Sequence, residues 1–213
     1  ISGPDAANFV QFLTPRNMST CSVNQCKYVL VTDEAGGIIC DPIILKLEDD
    51  RFWLSTSDCD LELWAKGVAV NTPYKKIKIA DANVSVIQIQ GPKSPHLMQT
   101  MFGDGILDLK YYRHMVVNFE GNAMRVSRTG WSGEFGYELY LEYPEKGDAL
   151  FDCLLKAGRP YGVAPGAVNQ TRRIESGILS WGVDMGINEN PYEVGLERLV
   201  ELENTNDFIG RSV

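Results

Sequence analysis

Twice along the chain a short apolar run turns a Gly-Pro corner and enters an amphipathic stretch. Ile1-Ser2-Gly3-Pro4 is followed by Ala6, Ala7, Phe9, Val10 and Leu13. Ile89-Gln90-Gly91-Pro92 is followed by Leu97, Met98, Met101 and Phe102. Apolar residues three and four apart predict a helix after each corner. The proline suits a helix start, where its missing N–H costs little. The match continues downstream. An apolar run at 51–55 predicts a strand, and 61–67 a helix stopped by Gly67; in the second copy the strand is 137–141 and the helix 149–158, stopped by Gly158. Each copy therefore reads strand–helix–strands–helix, a weak internal repeat.

Between these elements, alternation predicts a strand at 27–31, closed by the turn cluster Asp33-Glu34-Ala35-Gly36-Gly37. Further strands are expected at 43–47 and 123–127, the latter entered from Glu120-Gly121-Asn122. A last helix is expected over 170–179, with an irregular stretch through Asn188-Glu189-Asn190-Pro191. Two helices on one face of an antiparallel sheet, repeated, make an α+β architecture akin to the split βαβ arrangement.

Composition narrows the function classes. With 213 residues, 44% hydrophobic and 10% aromatic, the chain can build one large core or two small interlocked ones, which argues against disorder. The net charge is −8, and Lys75-Lys76 and Arg172-Arg173 are pairs rather than a basic stripe, so no nucleic-acid partner is expected. The five cysteines are irregularly spaced without a CxxC pair, and there are two histidines. Buried or half-buried free thiols in a reducing cytosol, and no metal site, are the expectation. No apolar run reaches membrane-span length and no signal peptide is visible; a cytoplasmic protein without a membrane partner is expected. The chain lacks an initial Met and ends without a helix stop, so it is read as an internal piece of a longer protein.

No GxGxxG, P-loop, HExxH or GxSxG pattern occurs, and His96 and His114 stand far apart in sequence. No nucleotide is expected, and any chemistry falls to carboxylates, aromatics and backbone. The first candidate is Asp41, in Gly36-Gly37-Ile38-Ile39-Cys40-Asp41-Pro42. A carboxylate in an apolar run is expensive to bury unpaired; the alternative is a turn cap or a solvated position before proline. The second candidate is the segment from Arg128 to Tyr140, where Gly130, Gly133 and Gly136 alternate with Trp131, Phe135 and Tyr137. Glycines admit a flat ligand close to the backbone, and aromatics offer stacking faces. Glu138, between Tyr137 and Leu139 in a strand, is placed to point into a pocket; the alternative is a tight turn with solvated acids.

This second segment resembles the RTGYTGEDGxE signature of the glycine cleavage T-protein (aminomethyltransferase) family. Gly36-Gly37-Ile38-Ile39-Cys40-Asp41 is similar to its GGIxDD motif, and Arg173-Ile174-Glu175-Ser176-Gly177 to its RLEAG helix. The motifs occur in family order and span essentially the whole chain. Two departures, Cys40-Asp41-Pro42 in place of a double acid and Asn190-Pro191-Tyr192-Glu193-Val194-Gly195-Leu196 near the end, resemble the branch that demethylates dimethylsulfoniopropionate. The resemblance implies two interlocked α+β units of the folate-binding aminomethyltransferase type, one from 1–77 plus 159–213 and one from 78–158. It also implies an upstream segment and a C-terminal barrel, both outside this chain.

The resemblance further implies a tetrahydrofolate-dependent enzyme working on a small-molecule substrate. Asp41 would act beside the reactive N5 and Glu138 would anchor the pterin. Tyr28, Tyr140, Ser55 and Arg173 would contact folate, and Trp131 and Trp181 the substrate. The activity would be methyl transfer from dimethylsulfoniopropionate, giving 3-(methylthio)propanoate and 5-methyltetrahydrofolate. Aminomethyl transfer with a lipoyl carrier protein, and folate binding without catalysis, are the alternatives. The acceptance of a planar, multi-donor ring by a carboxylate is geometrically specific, and aromatic faces attract a sulfonium by about 0.5–2 kcal/mol each.

Overall fold

The computed structural model describes residues 1–56, 58–167, 170–203 and 206–213. The chain divides into two compact units, Ile1–Asp81 with Leu179–Val213, and Ala82–Ile178.

In the first unit, α1 (Ala6–Leu13) buries Ala6, Phe9, Val10 and Leu13, the positions at helical spacing, while Ala7 and Asn8 are exposed. The strands are β1 (Cys26–Tyr28), β2 (Val31–Thr32), β3 (Ile38–Cys40), β4 (Ile43–Glu48) and β5 (Arg51–Ser55), followed by α2 (Leu61–Val70). They form two antiparallel sheets, β1-β4-β5 and β2-β3. Ala6 and Val10 of α1 pack with Val29, Ile44 and Phe52, and Phe9 and Leu13 pack with Ala65 of α2. Burying such side chains supplies roughly 1.5–3 kcal/mol each.

The expected single strand at 27–31 is two strands in different sheets. Tyr28 pairs with Ile43 and Val31 with Cys40, so the chain changes partner across Val29 and Leu30. Val29, Leu30 and Val31 are consecutive apolar residues, all buried through the switch, which is why the pattern shows no break. The helix expected to stop at Gly67 runs through it to Val70. It starts at Asp60, whose carboxylate accepts from the Leu63 N–H at 3.1 Å. Interior glycine costs about 1 kcal/mol, and the caps and buried face outweigh that.

The second unit carries β6 (Ser85–Gln90), α3 (Ser94–Phe102), β7 (His114–Phe119), β8 (Asn122–Ser127), β9 (Gly136–Leu141), α4 (Gly147–Gly158) and α5 (Gln170–Glu175). The strands form one antiparallel sheet in the order β6-β9-β8-β7. Leu97 and Met98 of α3 and Leu150 and Leu154 of α4 cover one face, against Met124, Val126, Tyr137, Leu139 and Leu141. The period-2 rule then sends Glu138 and Tyr140 to the opposite face.

The repeat is visible in the backbone. Gly3 and Gly91 have φ of 122° and 128°, a region open to glycine. Each carbonyl accepts from the first residue of the following helix, Ala6 at 2.9 Å and Ser94 at 3.0 Å. Each N–H reaches the residue just before a strand, Asp50 at 2.9 Å for Gly3 and Phe135 at 2.8 Å for Gly91.

One expected helix end holds and another moves. α4 ends at Gly158 as expected, and a 3-10 turn, Arg159–Tyr161, carries the chain on to Gly162, which is left-handed. The helix expected over 170–179 stops at Glu175. Gly177 takes φ 68°, its N–H donates to Ile174 O at 3.0 Å, and the Ile178 N–H to Arg173 O at 2.8 Å. That is a Schellman ending, which satisfies the last carbonyls. The return to the first unit comes at Leu179, not at 159. Described residues of that stretch pack within the second unit: Tyr161 bonds Thr100 at 2.9 Å and Arg173 lies over Trp131.

Candidate active site

In the first unit Asp41 occupies the two-residue link between β3 and β4, half-buried. It lies in that turn, not inside a strand. The Tyr28 hydroxyl donates to its Oδ2 at 3.1 Å. Burial pushes the Asp41 carboxyl up to about 6, with Asp58's negative charge adding to the rise; the Tyr28 hydroxyl and the residue's own backbone N–H oppose it. The β1–β4 pairing places Tyr28 across from Ile43, two residues past Asp41. Tyr28 and Trp181 both pack against Leu30, Ile38 and Met185. The Trp181 indole N–H donates to Ile38 O at 3.0 Å, locking the ring. Ser55 ends β5 opposite Ile43, half-buried. The first unit thus gathers a carboxylate poised near neutrality, a phenol and an indole.

In the second unit Glu138 sits mid-strand in β9, 7% exposed. Its register partners are Gln88 on β6 and Ser127 on β8. Gln88 Nε2 donates to Oε1 at 2.9 Å, and Tyr140 OH to Oε2 at 3.2 Å. Thr129 Oγ1 also donates to Oε2 and in turn contacts Ser127 Oγ. Burial pushes the Glu138 carboxyl up, and the Thr129 and Tyr140 hydroxyls oppose that. Hydroxyl donors hold a buried carboxylate without neutralising it, leaving it available to a donor-rich ligand.

The loop ahead of β9 is anchored from several sides. Arg128 stacks over Phe135 at 3.9 Å, and the Arg173 guanidinium lies 5.4 Å from the Trp131 ring centre. Arg173, 2% exposed, donates through Nε to Gln170 Oε1 at 2.6 Å and through Nη1 to Ile178 O at 3.2 Å. It therefore clamps the end of α5 to Trp131. Arg172 pairs with Glu134 at 3.3 Å. A Cβ at Gly133 would fall 1.8 Å from Ser176 Oγ, so the loop and the α5 end are built against each other. The second and third sequence motifs meet there.

The cysteine expectation needs correcting. Cys40 and Cys59, 19 residues apart, are disulfide-bonded, while Cys21, Cys26 and Cys153 are outside any disulfide. No local motif marks the pair, because it depends on β3 lying beside the segment that enters α2. Both cysteines pack with Leu61 and Val31, and the bond adjoins Asp41 in sequence. Cross-linking a loop of this size stabilises by about 3 kcal/mol. Thermal unfolding of Cys59→Ser is therefore expected roughly 6–12 °C below the parent under non-reducing conditions. Equal midpoints for the two proteins, with and without reductant, would count against the bond.

Gln88 and Asp58 escaped the sequence reading, and Thr129 entered it only as part of its segment. The alternation Ile87-Gln88-Ile89-Gln90 signals a polar sheet face, but only strand order puts Gln88 beside Glu138. A cavity of about 130 Å³ in the first unit, lined by Thr32, Gly36, Pro191, Tyr192 and Phe208, includes none of the expected site residues. Among the described residues no helix is long and apolar enough to cross a membrane.

The GCVT N-terminal domain model matches residues 1–204. The chain is 36% identical to dimethylsulfoniopropionate demethylase DmdA of Ruegeria pomeroyi over 212 residues, all of this chain and 57% of that protein. It is 34% identical to an aminomethyltransferase of Thermotoga maritima over 218 residues, 99% of this chain and 58% of that protein. The crystal structure of glycine cleavage system aminomethyltransferase T from Bartonella henselae matches with a TM-score of 0.82 at 20% identity, over 99% of this chain and 57% of that one, a likeness of fold. The chain spans a little over half the length of these relatives. With the domain model covering nearly all of it, the chain belongs to the glycine cleavage T-protein family through its GCVT N-terminal domain.

Proposed function

We propose that this protein transfers a one-carbon group to tetrahydrofolate, and that its donor is a methylsulfonium of the dimethylsulfoniopropionate type. The observation that carries the reading is the Asp41 group: a half-buried carboxylate bonded to Tyr28, with the Trp181 indole in the same apolar cluster. Aromatic faces and a carboxylate together favour a small desolvated cation. Glu138 suits the pterin. Its Oε1 accepts from Gln88, an exposed side chain that a ring N–H can displace. Tyr140 and Arg173 accompany Glu138 in the second unit and are proposed for folate, as is Ser55 at the β5 end, while Trp131 and Trp181 are proposed for the substrate.

In the proposed reaction the S–CH3 bond breaks and an N5–CH3 bond forms. The S–C electron pair stays on sulfur as a neutral thioether. The nitrogen sheds its proton to the Asp41 carboxylate, whose raised pKa suits a general base. Sulfide is a good leaving group, so the protein's work is mostly proximity and orientation.

Identities of 36% and 34% do not choose between the demethylase and aminomethyltransferase activities. The deciding experiment incubates the protein with tetrahydrofolate and dimethylsulfoniopropionate and looks for methylated folate and 3-(methylthio)propanoate. Turnover only with an aminomethyl-lipoyl carrier would move the assignment to aminomethyl transfer. Folate binding without turnover of either would make the protein a binder.

A further inference from the structure

We propose that Gln90 is a positioning residue, whose amide braces the glycine-rich loop at 129–137 and so sets how Glu138 and Trp131 meet a ligand. The inference rests on the folate reading for what that ligand is. Gln90 ends β6, paired in register with Gly136. Its Nε2 donates to Thr129 O at 3.2 Å and to Tyr137 O at 3.3 Å, the two flanks of the loop. Its Oε1 accepts from Ser132 Oγ at 2.8 Å, near the middle. Ser132 Oγ also accepts from the Glu134 N–H at 3.2 Å. One amide therefore fastens the loop at three points.

The space for this amide exists because two loop residues lack side chains. A Cβ at Gly130 or at Gly136 would fall 2.2 Å from Gln90 Oε1. The glycines that suggested close approach of a ligand are, at these two positions, filled by the protein's own glutamine. Thr129, whose carbonyl Gln90 holds, sends its hydroxyl to Glu138 Oε2. Tyr137, whose carbonyl Gln90 also holds, directly precedes Glu138 on β9. The brace thus holds the backbone one residue before the carboxylate, at Tyr137, and reaches the carboxylate a second time through Thr129.

The chemistry is particular to an amide. Two donors face two carbonyls and one acceptor faces a hydroxyl. In Gln90→Glu the shape is kept, but a carboxylate oxygen replaces the donor that faces the two carbonyls. Gln90→Ala leaves both carbonyls and Ser132 without this partner. Ser132→Ala removes only the contact at Oε1.

The test measures tetrahydrofolate affinity, amide hydrogen exchange and thermal midpoint for the parent, Gln90→Ala, Gln90→Glu and Ser132→Ala. Expected are faster exchange confined to 129–136, an unchanged β8–β9 ladder, and folate dissociation constants at least ten-fold higher for both Gln90 variants. Ser132→Ala should shift both readouts the same way by a smaller factor, and it keeps the test open if the Gln90 variants do not fold. Faster loop exchange with unchanged folate affinity would overturn the positioning role, as would unchanged loop exchange. A parent protein that binds no folate would overturn the folate reading and the ligand half of the inference. Loop exchange in the variants would still decide the brace itself.

Discussion

Replacing Asp41 with alanine is expected to lower turnover by about 10²–10⁴-fold, the range for losing a general base, while tetrahydrofolate affinity stays within a few-fold. Weakened folate binding with normal turnover at saturation would contradict the role. The carboxyl titrates at about 6, so kcat/KM of the parent should fall about ten-fold per pH unit below that value, and Asp41→Asn should lose this limb. Stability provides a second readout of opposite sign. A carboxyl raised from 3.8 to about 6 contributes stability below pH 3.8 that is lost as pH rises through 6. At pH 7 the ionised form costs at most about 3 kcal/mol, less what solvent screens. Asp41→Asn should therefore be at least as stable as the parent at pH 7 and catalytically impaired, a combination that a merely structural aspartate does not produce.

Glu138→Ala is expected to weaken tetrahydrofolate binding by roughly 100-fold, about 3 kcal/mol, because a charged acceptor is removed from the ligand's donors. The Thr129 and Tyr140 hydroxyls lose their acceptor in the same step. An unchanged dissociation constant, measured by titration calorimetry, would remove Glu138 from the folate site. Glu138→Gln separates the contributions. Burial raises this carboxyl, so its stabilising contribution is present at low pH and is lost as pH rises through its elevated value. The amide variant should show less of that pH dependence, and it should still bind folate poorly, because an amide nitrogen faces donors where an oxygen is needed.

Tandem repetition was legible in the chain because each copy opens on the same chemistry. A glycine at positive φ before a proline is a local requirement, and Gly3 and Gly91 meet it identically. The apolar faces of α1, α3 and α4 were legible because burial on one side writes a period into the sequence, and the strand at 137–141, buried on both faces, was legible as a short, mostly apolar run. Helix ends were less so. Gly67 and Gly177 are the same residue type, yet α2 continues through the first and α5 ends just before the second. What distinguishes them is whether the carbonyls of the last turn find the Schellman donors, which neighbouring structure decides.

The residue types of the proposed site were legible in the chain itself: Asp41 before a proline, Glu138 in an apolar strand, and the glycine-rich loop ahead of it. Tertiary structure alone decided their surroundings. Strand pairing across β6, β9 and β8 supplies Gln88 and Ser127 to Glu138. The approach of β3 to the start of α2 closes Cys40 on Cys59, and Gln90 reaches a loop that follows it by about forty residues. A side chain's identity is local information, but its hydrogen-bond partners and its burial belong to residues distant in the chain. A carboxyl's affinity for protons, the directions a glutamine amide can donate, and the pairing of two thiols are all set by those partners.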